Sequence, residues 1–121
     1  MPGMEEEPSL ESLKQQLRRF AAERDWDQFH SPKNLASALA VEAAELLEPF
    51  QWLTEEQSRG LPPDKLQAVR KEMADVLIYL IRLADKLDVD LLQAAREKIV
   101  ENAVKYPVEK ARGSMRKYSD L

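Results

Sequence analysis

The sequence has no cysteine, one histidine and three glycines among its 121 residues. Each scarcity removes a class of chemistry. Without cysteine there is no thiol nucleophile, no zinc ribbon and no disulfide framework. A single histidine supplies neither HExxH nor the paired Glu-x-x-His motifs of di-iron bundles. Gly3, Gly60 and Gly113 lie too far apart to form a Walker A loop or a dinucleotide fingerprint. So few turn glycines also count against a β-rich fold. No apolar run reaches the roughly 18 residues of a membrane span. The acidic start, Met1 to Glu7, lacks the apolar stretch of a signal peptide. A cytoplasmic, soluble protein with no membrane partner is the expectation. Carboxylate is what the chain has in quantity: 22 Asp and Glu face 18 Lys and Arg, for a net charge of −4. That balance argues against a nucleic-acid partner. It also leaves Asp and Glu as the groups best able to carry chemistry.

Proline and glycine punctuate the chain, and the intervals predict an all-α fold. Ser9 is an N-cap candidate for a first helix to about Arg24, with Leu10, Leu13, Leu17, Phe20 and Ala21 at helical spacing. Ser31-Pro32, a cap followed by proline at the first helical position, opens a second helix. It runs to Glu48, where Pro49 ends or kinks it. Glu55 to Pro63 reads as a loop closed by Gly60-Leu61-Pro62-Pro63. No Pro or Gly occurs from Asp64 to Tyr106. A third helix fills Asp64 to Leu87, and Asp88 or Asp90 caps a fourth that runs to Tyr106. Pro107 stops it by forcing its predecessor out of the α region. Residues 1–8 read as a flexible N-terminus and 108–121 as an irregular, basic tail. The whole reads as a single domain of ordinary size.

Two of these helices are too apolar for a lone bundle. Leu35 to Leu47 and Val76 to Leu83 are apolar almost all round, whereas a surface helix keeps a polar face. A homo-oligomer, dimer or tetramer, that covers the surplus face is expected.

Glu42 and Glu45 are the only charges between Leu35 and Leu47. Three residues apart, they share one helix face. Glu72 and Asp75 repeat the spacing at the head of the apolar run in the third helix. An apolar setting penalises unpaired carboxylates, which must neutralise or find a partner. Two such pairs on facing helices gather four acids, an arrangement that suits a bound cation. All-oxygen ligands favour Mg²⁺ or Mn²⁺ over zinc. The plainer reading is a solvated face, or salt bridges from these acids to Lys71 and Arg82.

Glu42-x-x-Glu45, then 26 intervening residues, then Glu72-x-x-Asp75 resembles the E-x-x-E…E-x-x-D motif of the all-α nucleotide pyrophosphohydrolases, the MazG-like superfamily. Phe20-Ala-Ala-Glu-Arg-Asp-Trp26-Asp-Gln-Phe-His30, Phe50-Gln-Trp52, Asn102…Tyr106-Pro107 and Ser114-Met-Arg-Lys117-Tyr118 resemble its dCTP pyrophosphatase branch. One departure stands out: vertebrate members of that branch carry a histidine where this chain has Leu17.

The resemblance implies a four-helix MazG-like bundle and hydrolysis of a nucleoside triphosphate between the α and β phosphates. The products would be the monophosphate and pyrophosphate, with dCTP or a 5-modified dCTP as substrate. By the same resemblance Glu42, Glu45, Glu72 and Asp75 ligate Mg²⁺. Lys98, Asn102, Lys105 and Tyr106 on the fourth helix, with Arg116 and Lys117 in the tail, are candidates for the phosphates. Trp26, His30, Trp52 and Tyr79 are candidates for the base, where each stack contributes about 1–3 kcal/mol. Related branches act on dUTP, other non-standard nucleotides or phosphoribosyl-ATP. A non-enzymatic helical adaptor is the remaining alternative.

Overall fold

The first helix begins where a serine can satisfy its free amides. In the computed structural model of the chain, which describes residues 7–121, Ser9 caps α1 (Leu10–Glu23). The Ser9 hydroxyl accepts from the Ser12 amide, and the Ser12 side chain accepts from the Ser9 amide, a reciprocal capping box. Ser31 does the same for α2 (Pro32–Leu47), accepting from the Asn34 amide. The long helix α4 (Pro63–Leu87) starts on a proline at its first position and ends at Asp88. Asp90 caps α5 (Leu91–Lys105) through the Gln93 amide. Of the two aspartates expected to cap α5, only Asp90 does so. Asp88 instead closes α4 in the left-handed conformation, φ 54° and ψ 46°, which a short polar side chain tolerates better than most. Among the described residues there is no strand.

Two stretches are more ordered than expected. The segment read as a loop from Glu55 holds a one-turn helix, α3 (Glu55–Ser58), whose Thr54 cap and Gln57 side chain form a second capping box. The tail read as irregular begins with α6 (Val108–Ala111), launched from Pro107, and ends with a 3₁₀ turn, Tyr118–Asp120. Another 3₁₀ turn, Asp27–Phe29, links α1 to α2. Of the N-terminus expected to be flexible, residues 1–6 lie outside the described residues.

The chain divides into two compact units, one ending at Asp88 and the other Val89–Leu121. In the first unit α2 and α1 both pack on α4. The core is small: among the described residues Leu35 is the one large side chain sealed completely, and Ala21, Val69, Ile81 and Ala84 are the other buried apolar ones. Much apolar surface stays outside, including Val41 and Leu47 on α2 and Leu66, Met73 and Leu77 on α4. No helix among the described residues is long and apolar enough to cross a membrane.

Candidate active site

The packing of α2 on α4 decides where the acids go. Glu42 and Glu45 stand one turn apart on α2, and Glu72 stands on the facing stretch of α4. The three carboxylates each bring one oxygen to within 4.8 Å of the others. Asp75 lies one turn further along α4, and its charge bears on both Glu42 and Glu72. Glu42 and Glu72 each bury one carboxylate oxygen, Oε2, that has no hydrogen-bond partner. Buried polar atoms are ordinarily partnered, so two orphaned acceptors in one cluster mark a place suited to a cation.

The electrostatics agree. Burial pushes the Glu42 carboxyl up to about 7, and Glu45, Asp75 and Glu72 push the same way. Glu72 is raised as well, by burial first and then by the charges of Glu45, Asp75 and Glu48. Proximity of like charges and loss of water both disfavour the ionised form. The donor set is all oxygen, anionic and convergent, which fits a hard divalent ion. Neither Lys71 nor Arg82 pairs with these acids among the ion pairs of the described residues. Arg82 turns instead to Asp27 and Asp85.

Glu48 escaped the sequence reading. It follows Glu45 by three residues, so the E-x-x-E spacing continues for another step, and its charge reaches Glu72.

The base candidates occupy the same unit. Trp26 heads the 3₁₀ turn and packs edge-on against Phe20, ring centres 5.7 Å apart, leaving it half exposed. The Arg24 guanidinium lies over the Phe20 ring, 3.6 Å from its centre. Tyr79 is half-buried one turn beyond Asp75. Trp52, after α2, is 87% exposed. His30 is half-buried, with its Nδ1 against the Arg82 guanidinium at 3.2–3.4 Å.

The phosphate candidates belong to the second unit. Lys98 and Lys105 both pair with Glu101, at 3.3 and 3.0 Å, so one carboxylate gathers two of the expected cations. The Asn102 carbonyl accepts from the Tyr106 amide at the end of α5. Lys105 also lies 6.0 Å from the centre of the Tyr118 ring. The Arg116 amide donates to the Ser114 hydroxyl, and Lys117 precedes the last 3₁₀ turn. Glu101, one of two acids on α5 with Glu97, stands three residues after Lys98 and four before Lys105, a helical spacing that suits both pairs.

Comparison with known proteins adds independent weight. Residues 38–121, which include all four acids, match the MazG-like family. The chain belongs to that family. It is 49% identical to dCTP pyrophosphatase 1 of Mus musculus over 117 residues, covering 95% of this chain and 69% of that protein. The human protein of the same name is 46% identical over the same span. Among solved structures, a pyrophosphatase from Archaeoglobus fulgidus superposes with a TM-score of 0.78 at 37% identity. That match covers 86% of this chain and 97% of the archaeal one. The family thus agrees with the resemblance carried by the acid motif and the blocks around it.

Proposed function

We propose that this protein hydrolyses dCTP, or a 5-modified dCTP, to the nucleoside monophosphate and pyrophosphate, using divalent metal held by its clustered acids. As a member of the MazG-like family similar to dCTP pyrophosphatases, it is a nucleotide pyrophosphohydrolase. The observation that carries the metal reading is the pair of buried, unpartnered oxygens on Glu42 and Glu72 inside a three-carboxylate cluster.

Glu42, Glu45, Glu72 and Asp75 are the proposed ligands, with Mg²⁺ as the ion and Mn²⁺ as its substitute. When bound, such an ion neutralises triphosphate charge, polarises phosphorus and acidifies water for in-line attack. The protein's own part is orientation. Carboxylates on two packed helices hold a fixed geometry, and an acid kept ionised beside the cluster can receive a proton from the attacking water. Trp26, Trp52 and Tyr79 are proposed to hold the base, and the α5 and tail cations to grip phosphate oxygens. The surplus apolar surface of α2 and α4 supports a homo-oligomer built from identical copies.

A nucleotide panel with Mg²⁺ and resolved products tests the reading. The expected result is dCMP and pyrophosphate from dCTP, abolished by chelator and by Glu72→Ala. A dUTP or phosphoribosyl-ATP preference would correct the substrate. No turnover of any nucleotide, with wild type indistinguishable from Glu72→Ala, would sink the proposal.

A further inference from the structure

Arg82 is the most deeply placed charge in the first unit, its side chain 4% exposed, and the acid cluster makes no use of it. Its guanidinium reaches Asp27 at 3.1 Å, Asp85 at 3.4 Å and the Nδ1 of His30 at 3.2–3.4 Å. These partners come from α4 itself and from the link between α1 and α2. Asp27 is held in addition by Lys86, and Asp85 by the Arg18 guanidinium of α1. The turn carrying Asp27 and His30 is also fixed through its backbone. The His30 amide donates to the Asp27 carbonyl at 3.0 Å, and the Asn34 side chain donates to the Phe29 carbonyl at 3.0 Å.

The chemistry of this contact restricts His30. Arginine has only donors and stays charged in proteins. A ring nitrogen facing two of its N–H groups must therefore offer a lone pair. That leaves the single proton of a neutral imidazole on Nε2. Burial and the nearby charges of Arg82 and Lys86 hold the ring below its ordinary pKa, with Asp27 opposing them. The imidazole is thus an N–H donor of fixed identity and orientation.

Its place along α4 gives that donor a use. Glu72, Asp75, Tyr79 and Arg82 follow one another at spacings of three and four, so they share a face. From Asp75 to Arg82 is seven residues, about 10 Å of helix rise. A nucleotide with its phosphates at the acids and its sugar along Tyr79 brings its base toward the Arg82 end, beside the turn that also carries Trp26. Cytosine offers the O2 and N3 acceptors there. We propose that Arg82 is a positioning residue that locks His30, already a base candidate by the family resemblance, as the Nε2–H tautomer, so that it is this N–H that meets an acceptor on the cytosine edge. The second half rests on the nucleotide reading above; the first does not.

His30 is the only histidine in the chain, so its imidazole ¹⁵N signals are unambiguous in the intact protein. Long-range ¹H–¹⁵N spectra should show Nε2 protonated and Nδ1 unprotonated in wild type. In Arg82→Met the pattern should relax to a mixture of tautomers, with a folded spectrum and melting curve checking integrity. An Nδ1–H tautomer or a mixture in wild type overturns the proposal, whether or not the protein turns over any nucleotide. Adding dCMP should shift the Nε2 resonance. The variants then separate donor from bulk. Gln places an amide near Nε2, whereas Asn mimics only Nδ1. His30→Gln should keep KM for dCTP within a few fold, while His30→Asn should raise it about tenfold with kcat little changed, the size of one lost hydrogen bond. Equal KM values for the two variants, or no dCMP shift in a protein that hydrolyses dCTP, overturn the base contact. Absence of all hydrolysis with the tautomer intact would count against the nucleotide reading instead.

Discussion

At the scale of single residues, the molecule sets like charges against one another. Glu42, Glu45 and Glu72 converge where water is scarce, and two of their oxygens lack partners. This has a stability signature of definite sign. The folded Glu42 carboxyl sits at about 7 against an ordinary 4.5. A raised folded value means the folded state binds the proton more tightly, so the contribution is fully present below about 4.5 and is lost as pH rises through about 7. Asp27 and Asp85 are lowered by their Lys86 and Arg18 partners and act oppositely, losing their contribution as pH falls into the acid range. In metal-free buffer the melting temperature should therefore fall between pH 5 and 8, roughly the window set by Glu42. Millimolar Mg²⁺ should restore it more at pH 8 than at pH 5.5, because ligands bind metal deprotonated. An equal Mg²⁺ effect at both values would contradict the assignment.

Substitution of the same acids separates activity from stability. Glu45→Ala and Asp75→Ala should reduce dCTP hydrolysis by about 100-fold or more, at or beyond the upper end of what losing an outer-shell partner costs a metal site. Their melting temperatures in metal-free buffer should hold or rise, since each change removes a clustered like charge. A large fall in both would instead mark the acids as structural.

At the scale of elements, the helices were legible because their ends are written locally. Ser9, Ser31 and Asp90 each supply an oxygen to an amide three residues on. The two prolines that open α2 and α4 stand where a missing N–H does no harm. Thr54-x-x-Gln57 carries the same signature, but the glycine and prolines close behind it make the stretch read as loop. The two caps should differ in effect. Ser31→Ala should cost about 1 kcal/mol of unfolding free energy by urea titration. Thr54→Ala should cost less, since α3 is one turn long and has no buried residue. The Arg82 network was illegible for another reason. Its partners Asp27 and His30 lie 55 and 52 residues away in sequence, and no local period connects them. The acids lie between these cases: the spacing of all four was visible, but the convergence of Glu42, Glu45 and Glu72 needed the packing of α2 on α4.

At the scale of the whole molecule, part of the apolar excess anticipated from Leu35 to Leu47 and Val76 to Leu83 is exposed, at Val41, Leu47, Leu77 and Ile78, and Leu66 and Met73 add to it. Leu66, Met73 and Leu77 follow one another by seven and four residues on α4, so they form one exposed stripe. A second copy of the chain is the proposed cover. Burying a leucine contributes about 1.5–3 kcal/mol, and a symmetric interface counts each change twice. Leu77→Lys should lower the sedimenting mass toward that of one chain at micromolar concentration, while circular dichroism shows the helices retained. An unchanged mass would place the interface elsewhere, and a wild type that sediments as one chain would remove the oligomer altogether.

The exposure of Trp52 has a practical consequence. The chain has two tryptophans, and they sit in different optical environments: Trp52 is 87% exposed, whereas Trp26 is shielded on one side by Phe20. An indole in water emits at longer wavelength than one against a phenyl ring. Trp26→Phe thus leaves a single solvent-bathed fluorophore beside the acid-bearing helix. If Trp52 closes over a base, its emission should move to the blue within the mixing time of a stopped-flow instrument. An exposed indole then becomes a clock for the arrival and departure of nucleotide.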